Sequence, residues 1–334
     1  MGIKQLNHFL IENCTAKSIY KMNLHQMANK IIVIDTSIYL YKFAEKGAVA
    51  ENMYLMISVL RQYNIVPVFV FDGMPPVEKK ALLIKRKIEK DAAEAKYNEL
   101  KSAIESGESE MRPDEMERLK KQFVRVTETD MVKSKQIMRA YGVQYIEARG
   151  ESDHLCAFLV KHGFAWACLS DDMDMFLYGC PRVIRHLSLL NHEGIMYDTE
   201  QILYDLDMDQ SVFNDIAILS GTDYNINGAK SLSDTVRLYM RFREWTYVQT
   251  TQKNAPSSAK TFYEWMTENT DYVEHIDNLQ HIRKMFDLNL YLENNKDEFK
   301  RVVDSMPFQV RDVNIEELKI VLFDDGFIFI SSVI

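Results

Sequence analysis

Hydrophobic and polar positions fall into two patterns along this chain. Three short segments are almost continuously apolar and rich in β-branched or aromatic residues: IIVID at Ile31 to Asp35, VPVFVFD at Val66 to Asp72, and AWACLSDD at Ala165 to Asp172. Runs of this kind read as strands buried on both faces of a parallel sheet. Helical periodicity fills the intervals between them, so the predicted fold class is α/β, a mostly parallel twisted sheet flanked by helices. Each predicted strand ends in aspartate. Ligands of an open α/β sheet bind beyond the carboxyl ends of its strands, so these acids are delivered to one shared place.

Between the second and third predicted strands runs a long stretch, Gly73 to Asp130, with helical composition, little β-branching and balanced heavy charge, which excludes it from a core layer. Its first part, KKALLIKRKIEK from Lys79 to Lys90, holds six basic residues and one acid. At about 100° per residue, Lys79, Arg86 and Lys90 share one helical face, with Lys80 and Lys87 alongside. Two readings stay open, a solvated face or a cationic surface beside the acids. The middle, SAIESGESEMRPDE, has the character of a loop or helix break, so a helical hairpin projecting over the site is predicted.

Further along, Thr127 to Gly142 is an amphipathic helix followed by the short apolar VQYIEA, and another helix begins near Glu151 and runs to Lys161. After Gly179 come a short strand, VIRHLSLL, and then DTEQILYDLDMDQSVFNDIAILSG, which reads as two helices. Beyond Asp223 the chain is helical and aromatic, most strongly at Asp234 to Val248, Ala259 to Thr267 and Val273 to Phe286, with KNAPSSAK near Lys253 as a loop. The aromatics of this half read as core.

The 334 residues are 47% hydrophobic and 27% charged, enough for one large core or two modest ones, and this excludes disorder as the main state. No run approaches the roughly 18 apolar residues of a membrane span, and MGIKQLNHFL lacks the apolar run of a secretion signal. Leu6 stands where a myristoylation motif wants Ser or Thr. An intracellular protein with no membrane partner is expected. Forty Lys and Arg face 49 Asp and Glu, a net charge of -9, which argues against a general basic coat and leaves a local basic patch open. Cys14, Cys156, Cys168 and Cys180 include no C-x-x-C pair, and they read as reduced core residues.

The acids with most to say are Asp35, Asp72, Glu151, Asp153, Asp172, Asp174 and Asp223. Glu151/Asp153 and Asp172/Asp174 are spaced i, i+2, which at a strand end or the turn leaving it presents both carboxylates to one side. Capping of the helix beginning near Glu151 explains one member of the first pair equally well. Carboxylates gathered without a cation resist joint ionisation, and a divalent ion removes the conflict. A set of oxygen donors with no His or Cys points to Mg²⁺ or Mn²⁺ rather than zinc. Two such ions about 3.5 to 4 Å apart form the usual clamp for in-line displacement at phosphorus, so acid pairs beside a basic helix point to phosphodiester hydrolysis.

At these residues the sequence resembles the flap endonuclease branch of the XPG-type structure-specific nucleases. The matching text is MGIKQL, IDTSIYLYKF, VPVFVFDGMPP, RLKKQFVRVT, YGVQYIEARGESD, LSDDMDMFLYG, VIRHL and LSGTDYN, in that order, from Met1 to about Asn225. The resemblance implies a PIN-like sheet with a helical arch at about residues 73 to 130, a nuclease core over residues 1 to 225, and a helical region over residues 226 to 334. It implies a two-metal nuclease that cleaves 5′ flaps of DNA and trims 5′ ends, leaving a 5′-phosphate and a 3′-hydroxyl, in replication, repair or recombination.

The seven acids match the family's metal-site acids one for one, with Asp153 standing where the family has Glu. Lys79 and Arg86 match two basic residues at the foot of the arch that hold the scissile phosphate, and Lys90 lies on the same basic segment. Tyr41 matches an aromatic on which a base stacks, its other reading being a core tyrosine. Arg61 and Arg185 match positions that approach DNA phosphates, and Gly2 matches an N-terminal glycine near the active site. The interval from Asp35 to Asp72 is shorter than in cellular flap endonucleases, and the missing part corresponds to the wedge that holds a 3′ flap. After GTDYN the family has a helix-two-turn-helix that binds K⁺ against duplex DNA. Here NINGAKSLSDTVRLY keeps part of the turn in Gly228 and Lys230, with hydroxyls at Ser231 and Ser233.

Branched DNA (a 5′ flap, nick or gap) is the expected partner of a monomer acting in the nucleus or at a viral or cytoplasmic replication site. The chain ends in FDDGFIFISSVI with no clamp-binding peptide, so recruitment by a sliding clamp is not expected. The alternatives are a related 5′ nuclease that prefers other branched, gapped or RNA substrates, and a non-catalytic protein that binds branched DNA. A small-molecule phosphatase would leave the basic arch and Asp35, Asp72 and Asp223 without a role.

Overall fold

The computed structural model describes residues 3–106, 113–225, 230–251, 260–273, 276–323 and 325–327. Gly2, Gly228, most of the KNAPSSAK loop and the middle of the break between the arch helices lie outside the described residues. In chain order the first elements are α1 (Leu6–Asn13), β1 (Ile19–Asn23), β2 (Ile31–Asp35), α2 (Thr36–Glu45), α3 (Val49–Gln62), β3 (Val66–Phe71), α4 (Lys80–Glu105), α5 (Pro113–Gln122), α6 (Glu128–Ala140) and β4 (Gln144–Glu147). They are followed by α7 (Ser152–Lys161), β5 (Ala167–Leu169), α8 (Asp174–Leu177), β6 (Arg182–Ser188), β7 (Glu193–Asp198), α9 (Thr199–Leu206) and α10 (Gln210–Ser220). The rest is helical, with α11 (Leu232–Thr251), α12 (Phe262–Asn269), α13 (Ile276–Met285), α14 (Leu288–Asn294), α15 (Lys296–Asp304) and α16 (Ile315–Phe323).

By packing, the chain divides into two compact units, Met27–Ser152 with Met306–Ile334, and Met1–Gln26 with Asp153–Ser305. The boundary near residue 225 marks where the sequence motifs end. It is not a packing boundary, because α11 and α13 pack on α10 and α10 packs on α8.

In the first unit β2, β3 and β4 are all parallel, with Asp35 opposite Val70 and Phe71 opposite Glu147. Nearly every position of β2 and β3 is buried, as expected of strands covered on both faces. Met53, Met56 and Ile57 of α3 and Ile137 and Met138 of α6 complete this core. Thr127 and Asp130 start α6 with a reciprocal capping box. The segment before α16 runs along the end of α6, donating from Arg311 N to Gly142 O at 2.9 Å and from Asn314 N to Ala140 O at 2.7 Å.

In the second unit β5 and β6 are parallel, whereas β7 is antiparallel to both β6 and β1. Its core gathers Leu6 and Leu10 of α1, Phe176 of α8, Ile184 of β6 and Tyr197 of β7. The mostly parallel α/β expectation holds, with β1 and β7 as additional antiparallel strands. β5 is shorter than the apolar run that announced it, because Ser170 Oγ accepts from Asp172 N at 3.1 Å and turns the chain out of the strand.

Candidate active site

In the first unit the parallel register sets Asp35, the last residue of β2, beside the end of β3, which Asp72 follows directly. Asp35 is 3% exposed, while Asp72 is open to solvent. Although Asp35 occupies the N-cap position of α2, its side chain makes no cap bond there. It accepts instead from Ser152 Oγ at 3.2 Å. Ser152 is the first residue of α7, and its backbone N–H donates to Asp72 Oδ1 at 2.8 Å. This amide belongs to the unsatisfied first turn of the helix, where negative charge is favoured. Its cap acceptor is therefore a strand-end carboxylate, in place of the local acid that the sequence pointed to.

The loop after Asp72 is held close to the loop before Glu151. Gly73 N donates to Gly150 O at 2.7 Å and Met74 N to Arg149 O at 2.8 Å. A Cβ on Gly73 would lie 2.0 Å from Ala148 O, so no other residue fits at this close approach. Glu151 in turn accepts from Lys79 Nζ at 2.6 Å, and these side chains are only 15% and 10% exposed.

Lys79 closes a 3₁₀ turn, Val77–Lys79, directly before α4, and its ammonium donates to Glu151. Arg86, Lys90 and Lys96 instead line a groove of about 720 Å³ between α4 and α5, together with Ala93 and Leu119. The expected hairpin is present as these two packed helices. Lys90 donates to Val124 O at 2.9 Å and lies 4.8 Å from the ring of Tyr41. Partial burial, reinforced by repulsion from Arg125 and Arg86, lowers the Lys90 pKa. Tyr41 is 43% exposed, so it is not a core tyrosine. Arg61 donates to the backbone carbonyls of Tyr141 and Arg311, the latter at 2.9 Å, and thereby ties α3 to the segment before α16.

In the second unit Asp172 Oδ1 accepts from Asp174 N at 3.1 Å and closes the turn that starts α8. Asp174 is 3% exposed and Asp172 half-buried, while Asp153 is buried in the first turn of α7. Asp223 is half-buried in a turn that Asn225 builds, since Asn225 Oδ1 accepts from Thr222 N at 2.6 Å and its amide donates to Ile218 O at 2.6 Å. Gly221 ends α10 at φ 104, a left-handed conformation that favours glycine. These bonds give the GTDYN motif its physical reason.

Arg185 lies inside the second unit. It is 5% exposed, donates to Asn7 Oδ1 and to Asp171 O, the latter at 2.9 Å, and lies over the ring of Tyr197. These contacts hold the guanidinium within the unit that carries β6. Lys230 is exposed, its ammonium 5.4 Å from the ring of Tyr272. All four cysteines are free thiols, three of them buried and Cys14 half-buried.

Among the described residues no group of three or more His, Cys, Asp or Glu side chains is gathered closely enough to hold a metal ion. The donor chemistry still fits a hard cation: the named acids are all oxygen donors, and Asp35 and Asp72 end adjacent strands where their like charges need neutralising. Sequence reasoning missed Ser152 and Gly73. The signals were the hydroxyl residue inside E-S-D and the glycine directly after a strand-end acid.

Two family domains match the chain, the XPG N-terminal domain over residues 1–93 and the XPG I-region over residues 142–223. Together they cover just over half of the sequence and include all seven acids. The chain belongs to the XPG family. Flap endonuclease 1-A of Sorghum bicolor is 33% identical to this XPG-family chain over 243 residues, 67% of this chain and 62% of that protein. Flap endonuclease 1 of Ostreococcus tauri is 31% identical over 256 residues, 71% of this chain and 62% of that protein. The chain thus spans about three-fifths of the length of these curated relatives.

Among solved structures, the catalytic core of Rad2 is similar with a TM-score of 0.62 at 19% identity, covering 98% of this chain and 96% of that one. Flap endonuclease-1 from Methanococcus jannaschii gives 0.57 at 20% identity, covering 97% and 100%. Human GEN1 in complex with Holliday junction DNA gives 0.59 at 18% identity, covering 97% and 73%. Nucleases of this family are divalent-metal dependent. No helix among the described residues of the chain is long and apolar enough to cross a membrane.

Proposed function

We propose that this XPG-family chain is a structure-specific nuclease that cuts 5′ flaps in branched DNA by metal-dependent phosphodiester hydrolysis, and that it also trims 5′ ends. The observation carrying this reading is the pair of carboxylates, Asp35 and Asp72, set at the ends of adjacent parallel strands and both bonded by the first residue of one helix. Asp35, Asp72, Glu151, Asp153, Asp172, Asp174 and Asp223 would hold two Mg²⁺ ions, with Mn²⁺ able to substitute. Bound there, the ions supply Lewis acidity and neutralise the carboxylates.

In the reaction a water attacks phosphorus, the bond from phosphorus to the 3′ oxygen breaks, and the departing oxygen takes up a proton. The products are a 5′-phosphate and a 3′-hydroxyl. Lys79 and Arg86 hold the phosphate and offset its developing charge, which for Lys79 means leaving Glu151. Tyr41 offers an exposed ring on which a base stacks, a contact worth about 1–3 kcal/mol. Arg86 and Lys90 line the groove that guides the backbone. The protein acts as a monomer where DNA is replicated or repaired.

A second reading is a 5′ nuclease with another preferred substrate. It is favoured by the direct joining of α2 to α3 through residues 46–48, which leaves no place for a wedge against a 3′ flap. A panel of flap, nicked, gapped, junction, single-stranded and RNA substrates in Mg²⁺ tests both. Fastest cutting at the base of a 5′ flap is expected, fastest cutting of another member supports the second reading, and tight binding without cutting removes the nuclease reading.

A further inference from the structure

Two carboxylates at the ends of neighbouring strands repel each other, and the buried one is fixed by the donors aimed at it. Ser152 supplies a donor to each, its amide to Asp72 at 2.8 Å and its hydroxyl to Asp35 at 3.2 Å. Any residue except proline brings the amide, whereas the hydroxyl is particular to this side chain. Ser152 is 1% exposed, so water does not replace that donor. The residue also begins α7, and its place is set by the helix and by the close approach at Gly73.

We propose that Ser152 is a positioning residue, whose hydroxyl holds the Asp35 carboxylate in the orientation from which it binds a divalent cation. This rests on the reading of Asp35 as a metal ligand. Groups that hydrogen-bond to a metal ligand typically change metal affinity about 10- to 100-fold when removed, because they fix the ligand before the ion arrives. Ser152 and Lys79 differ in kind here: Lys79 brings a charge to Glu151, whereas Ser152 brings only direction to Asp35.

The test is isothermal titration of the full chain with Mn²⁺ and no DNA, for the wild type, Ser152→Ala and Ser152→Thr. Ser152→Ala is expected to weaken Mn²⁺ binding about tenfold, with a metal-free Tm lowered by no more than about 4 °C. Ser152→Thr keeps the hydroxyl and is expected to bind as the wild type does. Unchanged Mn²⁺ affinity in Ser152→Ala overturns the proposal. So does a threonine variant that melts like the wild type yet binds as weakly as the alanine one. The alanine comparison stands whether or not the threonine methyl is accommodated. Failure of the wild type itself to bind Mn²⁺ removes the metal-site reading, and the role of Ser152 with it.

Discussion

The two groups of acids are held by opposite means. Asp35, Asp72 and Glu151 take their hydrogen bonds from residues 117, 80 and 72 positions away in the chain. Asp172 and Asp174 sit in a turn whose bonds each join residues two positions apart. A two-residue contact forms with its turn, whereas one closed over a hundred residues forms only with the sheet that brings its partners together. The first group thus reports on the whole fold of its unit, and the second on local turn chemistry. Substitutions that remove charge affect both groups alike, and those that disturb position separate them.

Charge removal is expected to have the largest effect. Asp35→Asn and Asp172→Asn are each expected to lower single-turnover cleavage of a 5′-flap DNA at least about a thousandfold, since several kcal/mol of stabilisation leave with the cations at about 1.36 kcal/mol per tenfold. A large loss in one variant alone would break the comparison. Gly73→Ala comes next, because its methyl would meet the Ala148 carbonyl at 2.0 Å and push the loop after Asp72 away from the one before Glu151. A shift of about 1 Å is expected to reduce the same rate about a hundredfold. An unchanged rate would mean that long-range placement at this loop is not critical.

The local group has a smaller, separable signature in thermal melts. Asp172→Ala loses the acceptor for Asp174 N and is expected to lower stability by about 1 kcal/mol, whereas Asp172→Asn keeps an acceptor and is expected to melt near the wild type. Equal melting of the two would sharpen the comparison against a capping role.

The smallest effect lies away from both groups, at Asp215. This carboxylate is 2% exposed and 2.9 Å from Arg283, and burial outweighs that partner to push its pKa from 3.8 up to about 7. Between those values the folded chain keeps a proton that the unfolded chain has lost, so rising pH removes stability through that window. Relative to Asp215→Asn, the wild type is expected to lose stability between about pH 4 and pH 7, with the full contribution present below that range. A flat difference would refute the burial argument, and cleavage is expected to stay unaffected at fixed pH.

What was legible in the sequence follows the same division. β2 and β3 could be read because strands buried on both faces leave an unbroken apolar run, and their terminal acids were visible for the same reason. The E-S-D and D-M-D pairs are local features and were found by spacing, whereas the GTDYN turn was found through the family resemblance. β1 and β7 were missed because they are only partly buried and their sequences, IYKMN and EGIMYD, carry polar residues or glycine in place of an unbroken apolar run. The burial of Arg185 could not be read from the sequence because its partners, Asn7 and Tyr197, are brought by distant elements. Ser152 went unnoticed since its importance lies in two acids far away in the chain.

The most direct test of the account is incubation of the full chain with a 5′-flap DNA and Mg²⁺ beside Asp172→Ala, with both product ends mapped. The expected result is incision near the flap base by the wild type, leaving a 5′-phosphate and a 3′-hydroxyl, and none by the folded variant. Equal incision by the two proteins, or an inert wild type with both Mg²⁺ and Mn²⁺, would contradict it.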